Sequence, residues 1–181
     1  MQNQLYALRH CKTSFNAQNI ISGQTDCPLI DYTVDDSILE KSSGPNSYIL
    51  ITSSLSRCVE TGEILRKQSN FCFSTYIDNR LIERNMGVLE GLSRYEASRK
   101  YPSYFCNEKF NDYMTPPMGE SYVDFKLRVN SLISLIEQLL QNYNVILCSH
   151  NQTLRMLTAL INDKQYTEIS KYPNGTIIKI F

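Results

Sequence analysis

Histidine is scarce in this 181-residue chain, with two in all, and that scarcity makes their positions informative. Neither sign of charge is in excess: Lys plus Arg and Asp plus Glu both total 18. No overall basic field therefore attracts nucleic acid, and any affinity for phosphate must come from local placement. No segment approaches the roughly 18 apolar residues of a membrane span, and the opening Met1-Gln-Asn-Gln-Leu-Tyr6 has no basic stretch leading into a long apolar one. A soluble, cytoplasmic protein is expected, with neither membrane nor nucleic acid as a partner. The six cysteines form no CxxC pair; the closest two, Cys58 and Cys72, are 14 positions apart. That spacing excludes the usual zinc and dithiol motifs and favours free thiols. There is no internal repeat, and the length suits one domain, 1–181.

Five short apolar segments rich in β-branched or aromatic residues read as strands: 4–8, Tyr48 to Thr52, Phe73 to Ile77, 144–148 and Thr176 to Ile180. Between them, Ser56 to Gln68, Tyr122 to Gln141 and Asn151 to Asn162 carry apolar residues at helical spacing, stripes that belong to a core. Lys41-Ser-Ser-Gly-Pro-Asn46 reads as a turn before a strand. The alternation predicts an α/β fold with a mostly parallel sheet covered on both faces. The segment 93–119, with Tyr101-Pro102 and Thr115-Pro116-Pro117, predicts short helices in an irregular excursion that caps a pocket.

Both histidines stand at predicted strand exits, His10 after Leu8-Arg9 and His150 after Cys148-Ser149. Ligands of open α/β sheets bind beyond the strand C-termini, so two adjacent strands would bring both imidazoles to one pocket. After His10, Thr13 or Ser14 can cap a helix whose backbone donors face an anion. Asn16 offers an amide donor, and Ser22-Gly23 a tight turn whose backbone can approach a phosphate. Arg57 falls near a helix start, where the macrodipole disfavours a cation and an anionic ligand would resolve the misfit; its guanidinium suits bidentate contact with phosphate oxygens. A surface pair with Glu60 is the plainer alternative for Arg57. Glu83, directly after Leu81-Ile82, is the candidate general acid in a partly desolvated cleft.

Taken in order, these pieces resemble the histidine phosphatase superfamily, the group that includes cofactor-dependent phosphoglycerate mutase. Leu8-Arg9-His10 to Asn16 resembles the family's Arg-His-Gly signature with its downstream Asn. Gly23-Gln-Thr-Asp26-Cys-Pro28-Leu29 resembles the next motif, and Ser53-Ser-Leu-Ser-Arg57-Cys-Val-Glu-Thr61 the second arginine motif. Glu83 to Gly91 resembles the acid loop, Pro117-Met-Gly119-Glu120-Ser121 the Gly-Glu-Ser segment, and Leu147-Cys-Ser149-His150 the second histidine. There are departures. Cys11 replaces the glycine after His10 and is expected to add bulk beside the phosphate site. Lys12 replaces the usual acidic residue and is expected to bring positive charge to the mouth. Asn151-Gln152 stand where many members have glycine.

The resemblance implies a three-layer, phosphoglycerate mutase-like α/β sandwich and metal-independent chemistry without a cofactor. It implies that His10 attacks phosphorus to form a phosphohistidine, that Glu83 protonates the departing oxygen, and that Arg9, Arg57 and His150, with Asn16, stabilise the equatorial oxygens. The His10 ring nitrogen not used in attack should donate to a backbone carbonyl. Ser22, Gly23 and Asn151 complete the expected substrate contacts. The expected activity is hydrolysis of a small phosphomonoester, since mutases of the family tend to be longer and exclude water better. A cofactor-dependent phosphomutase and a weakly active phosphate-binding or regulatory protein are the alternatives. The partner is then a small phosphorylated metabolite, and Arg80, Arg84, Arg94, Arg99 and Lys100 are candidates for holding a second anionic group. The oligomeric state stays open, a dimer among the options.

Overall fold

The computed structural model describes residues 3–39, 48–69 and 73–180; the turn expected at 41–46 lies outside them. In chain order the elements are β1 (Leu5–Arg9), α1 (Ser14–Ala17), β2 (Tyr48–Thr52), α2 (Ser56–Gln68), β3 (Phe73–Ile77), α3 (Arg94–Lys100), β4 (Phe105–Cys106), β5 (Lys109–Phe110), α4 (Tyr122–Asn130), α5 (Ile133–Leu140), β6 (Asn144–Ser149), α6 (Asn151–Ile161) and β7 (Ile177–Lys179). The five predicted strands form one sheet in the order β3-β2-β6-β1-β7. Only β7, which runs antiparallel to β1, departs from the parallel pairing.

Strand residues alternate between the two faces of this sheet, and each face builds its own core. Leu5, Ala7, Ile49, Ile51, Val145 and Leu147 pack under Phe125, Val129, Leu132, Ile136, Leu154 and Leu157 of the α4–α6 side. Tyr6, Leu8, Tyr48, Leu50, Ile146 and Cys148 pack against Cys58 and Leu65 of α2, with Leu29 and Val34. The result is the three-layer α/β arrangement, with burial on both faces explaining the near-continuous apolar strands. No helix of the described residues is long and apolar enough to cross a membrane.

Two local expectations need correction. The helix expected from Tyr122 to Gln141 breaks into α4 and α5. The Ser131 hydroxyl donates back to the Arg128 carbonyl at 2.7 Å, and the Ser131 carbonyl is taken by Arg80 Nη1 at 2.7 Å, so the ladder is interrupted where the side chain competes with it. The excursion is more regular than expected. It contains α3, started by a Ser93/Glu96 capping box, and a β4–β5 hairpin turned by Asn107 (φ 47°) and Glu108 (φ 58°). Both turn residues have the positive φ of a type I′ turn, yet glutamate occupies the position where glycine usually announces one. Ile21, Met86, Leu89, Ala97 and Phe110 form a third, smaller core beneath this segment.

Candidate functional site

Register places the two histidines together. Arg9 pairs with Ser149 across β1 and β6, and the His10 amide donates to the Ser149 carbonyl at 3.0 Å, so the next residue of each strand emerges at the same level. Their ring centroids are 5.2 Å apart. The third strand joins them: Thr52 pairs with Cys148, which sets Ser53 beside His150.

His10 Nδ1 lies 2.8 Å from the Cys11 carbonyl. A carbonyl only accepts, so Nδ1 carries the proton and Nε2 keeps its lone pair. The acceptor is itself held, because the Cys11 amide donates to Thr61 Oγ1 at 2.9 Å and the Thr61 hydroxyl donates to the Arg57 carbonyl at 2.7 Å. Burial, with the Arg57 and Arg9 guanidinium groups nearby, pushes the His10 imidazole down to about 3. The ring is neutral at any ordinary pH and has a nucleophilic nitrogen to offer.

His150 differs from expectation. It is fully buried and is not part of the cavity lining that includes His10. Its Nδ1 accepts from Arg57 Nε at 3.2 Å, so the proton resides on Nε2, which donates to Ser53 Oγ at 2.9 Å. With both nitrogens engaged, the ring orients Arg57 from behind rather than facing the cavity. Burial first, then the charge on Arg57, holds it well below its ordinary histidine value.

Arg57 is buried at the start of α2, and the surface pair with Glu60 is excluded. Its Nη1 and Nη2 donate to the carbonyls of Thr25 (2.8 Å) and Gly23 (2.6 Å). Those carbonyls belong to the Ser22–Thr25 turn, which Glu90 also binds through the amides of Gln24 and Thr25 and the Thr25 hydroxyl. Gly23 has φ +49°, and a Cβ there would sit 2.1 Å from Glu90 Oε1, so the turn requires glycine. Arg9 reaches the cavity from the end of β1. Its Nη1 donates to the Tyr172 carbonyl at 2.8 Å, while its buried Nε has no hydrogen-bond partner, an unmet donor of the kind an anion satisfies.

Glu83 is buried, and three amide donors converge on it, those of Arg84, Gln152 and Thr153; the single Thr153 hydroxyl proton goes to the Ile82 carbonyl at 2.8 Å, with Glu83 Oε1 3.1 Å from the hydroxyl oxygen. Two of the three amides lie in the first turn of α6, so Gln152 uses its backbone to fix the carboxylate. Asn16 acts both as a cap and as a wall residue. Its Oδ1 accepts from the Thr13 amide and from Asn174 Nδ2, each at 3.2 Å, leaving its own NH2 donors as the group to present. Asn151 Oδ1 accepts from the Tyr172 amide at 3.1 Å.

Arg9, His10, Asn16, Ser22, Gly23, Arg57, Glu83 and Asn151 thus surround one cavity of about 130 Å³, together with Arg94, Lys109, Asp112, Arg155 and Lys171. Six cationic side chains (Arg9, Arg57, Arg94, Lys109, Arg155, Lys171) face two carboxylates (Glu83, Asp112) there, in a chain of zero formal net charge. Local placement has built a strongly positive pocket. Of the five basic residues considered for a second anion, only Arg94 lines it. Arg80 is tied to Asp78 (2.6 Å), and Arg99 and Lys100 lie over Tyr95 and Tyr101. Arg84 is fully buried and pins the excursion through the carbonyls of Asp112, Met114 and Glu120. Cys11 is buried in the α2-side core with its thiol toward the Thr33 carbonyl, and neither it nor Lys12 lines the cavity; the bulk and charge expected at the phosphate site are elsewhere. Among the described residues no group of three or more histidine, cysteine or carboxylate side chains is placed to hold a metal ion.

Sequence reading missed Ser53, Thr61 and Asn174, which position the site, and Lys109, Asp112, Arg155 and Lys171, which line it. Thr61 lies one helical turn beyond Arg57, a spacing that could have suggested it. The others converge only through tertiary structure.

The chain is 29% identical over 99% of its length to a 2,3-bisphosphoglycerate-dependent phosphoglycerate mutase of Mesorhizobium japonicum, covering 91% of that protein. Its fold is similar to the mycobacterial glucosyl-3-phosphoglycerate phosphatase (TM-score 0.79, 20% identity, 98% of this chain and 90% of that one). It is also similar to the α-ribazole phosphatase of Shigella flexneri (TM-score 0.75, 20% identity, 96% and 88%). The family model of the histidine phosphatase superfamily, branch 1, matches residues 5–180, and the chain belongs to that superfamily.

Proposed function

We propose that this protein hydrolyses a small phosphomonoester whose leaving group carries a second anionic group, through a phosphohistidine on His10 and without a metal ion. The observation that carries the reading is the state of His10: neutral, with Nδ1 held by the Cys11 carbonyl, in a cavity wall shared with Arg9 and Arg57. In this mechanism Nε2 attacks phosphorus as the bond to the leaving oxygen breaks, and protonated Glu83 gives that oxygen its proton. Water then attacks the phosphohistidine, Glu83 takes a proton from it, and phosphate leaves. Arg9 and Arg57 offset the charge on the equatorial oxygens, with Asn16 as a further donor.

Cations without an ion pair support the second anionic group. Arg155 has Asp112 at 3.9 Å, whereas Arg94, Lys109 and Lys171 make no side-chain hydrogen bond or ion pair among the described residues. Burial and the neighbouring Arg94, Arg155 and Lys109 draw the Lys171 ammonium below its usual value, a repulsion that an anionic ligand relieves. The cavity is well below the ~300 Å³ at which sites for drug-sized ligands begin, which favours a leaving group of a few carbons.

The test is phosphate release from sugar, nucleotide, glycerate and aryl phosphates in EDTA, beside His10→Ala. Release that resists EDTA and vanishes in the variant is expected; variant activity within tenfold of wild type would refute the reading. The mutase among the relatives and the same three cations, which suit a bisphosphate, favour a second reading as a phosphomutase. Its mark is transfer from a bisphosphate to an acceptor without net phosphate release.

A further inference from the structure

One carboxylate in the cavity has no task in that mechanism. Asp112, just after β5, lines the cavity together with Arg94, Lys109 and Lys171. Its backbone is fixed, since its carbonyl accepts from the buried Arg84 Nη1 at 2.6 Å. Its side chain is 18% exposed, and its ion-pair partner Arg155 stays 3.9 Å away, beyond hydrogen-bond range. Arg155 is committed elsewhere: Nε donates to the Ile169 carbonyl, Nη1 to the Tyr166 hydroxyl and Nη2 to the Tyr166 carbonyl. No hydrogen bond reaches the Asp112 carboxylate among the described residues. Glu83, by contrast, has three amide donors. Burial pushes the Asp112 carboxyl up, against the pull of Arg155, Arg84, Lys109 and Arg94. A carboxylate that lines the cavity with no protein donor on it has its lone pairs available to a donor of the ligand.

We infer that Asp112 is a specificity-determining residue that accepts a hydrogen bond from a hydroxyl of the leaving group, so that the substrate is a hydroxylated, doubly anionic phosphomonoester. The inference rests on the hydrolytic reading above and narrows its substrate class. A second anionic oxygen set against Asp112 would be repelled, and an alkyl carbon would leave the carboxylate unpaired. An ammonium group would meet the three unanswered cations. A hydroxyl satisfies the carboxylate without adding charge, while the anion beside it meets Arg94, Lys109 and Lys171.

The test compares two phosphomonoesters of equal charge that differ in one hydroxyl, 3-phosphoglycerate and 3-(phosphonooxy)propanoate, by kcat/KM. A hydrogen bond to a charged group predicts that wild type prefers the hydroxylated compound by roughly 10- to 100-fold. Asp112→Ala should compress this ratio to about threefold or less, and Asp112→Asn, which keeps one acceptor, to an intermediate value. Lys171→Ala should lower kcat/KM on both compounds and leave the ratio standing. A wild-type ratio near one, or a full ratio retained in Asp112→Ala, overturns the inference. Because the wild-type ratio is itself decisive, a variant that fails to fold does not protect the idea. Loss of all His10-dependent phosphate release, aryl phosphates included, would instead strike the hydrolytic reading.

Discussion

A histidine held neutral inside a folded protein leaves a thermodynamic trace that needs no substrate, and His10→Gln exposes it. In the unfolded chain His10 titrates near 6.5; in the folded protein burial, Arg57 and Arg9 bring it to about 3. Between those values the unfolded state binds a proton that the folded state does not. His10 therefore costs no stability above about pH 6.5, and the cost grows as pH falls, levelling off only near pH 3. At pH 5 the gap from 6.5 is about 1.5 pH units, which at 1.36 kcal/mol each is about 2 kcal/mol of destabilisation relative to neutral pH. His150 is depressed in the same direction and adds its own share, so the variant keeps a slope but a shallower one. Urea unfolding at steps from pH 5 to 7 measures it: wild type should lose about 2 kcal/mol more than His10→Gln over that span. Equal losses in the two proteins would mean that the folded His10 accepts a proton as readily as a free histidine, and the argument for a neutral nucleophile would fail.

Three further outcomes follow from the site. Arg57→Lys should lower kcat/KM by roughly 100-fold or more, because a single ammonium cannot serve the Gly23 and Thr25 carbonyls and His150 Nδ1 at once; steady-state kinetics giving less than a fivefold loss would contradict that role. Gly23→Ala should destabilise the protein by roughly 2 kcal/mol, combining the left-handed backbone penalty with displacement of the Glu90 carboxylate. That corresponds to a fall of about 4–8 °C in Tm by thermal scanning, and an unchanged Tm would show that the turn accommodates a side chain. Glu83→Gln should cost more on alkyl than on aryl phosphates, since only a poor leaving group needs the proton; equal losses on both would remove the acid role.

Much of the site was legible because it is carried by strand ends. Apolar runs located the strands of His10 and His150, and the rule that ligands gather at strand C-termini set the two residues side by side at one end of the sheet before any register was known, although only His10 lines the cavity. Arg57, Glu83 and Asn16 were likewise readable as polar residues at helix starts or after apolar pairs. The distal wall was not legible. Lys109 depends on a hairpin whose Asn107-Glu108 turn lacks the expected glycine, and Lys171 and Asp112 line one cavity only because chain segments far apart in sequence converge. Arg84 shows the opposite failure. Sequence reading weighed its charge as a ligand for a second anion, whereas three of its nitrogens hold the backbone carbonyls of Asp112, Met114 and Glu120. His150 belongs to the same lesson. Its place at a strand exit was correct, but whether the ring faces a cavity or lies behind an arginine is decided by Ser53 and Arg57, which arrive from the next strand and helix.

The most direct test of the central claim is to mix enzyme with a turning-over phosphomonoester, quench at alkaline pH, where a phosphohistidine survives, and examine the His10 peptide by mass spectrometry. The account predicts one added phosphoryl group on His10, absent from His10→Ala and transient as substrate is consumed. Phosphate release with no adduct on His10, or with the adduct on another residue, would contradict it.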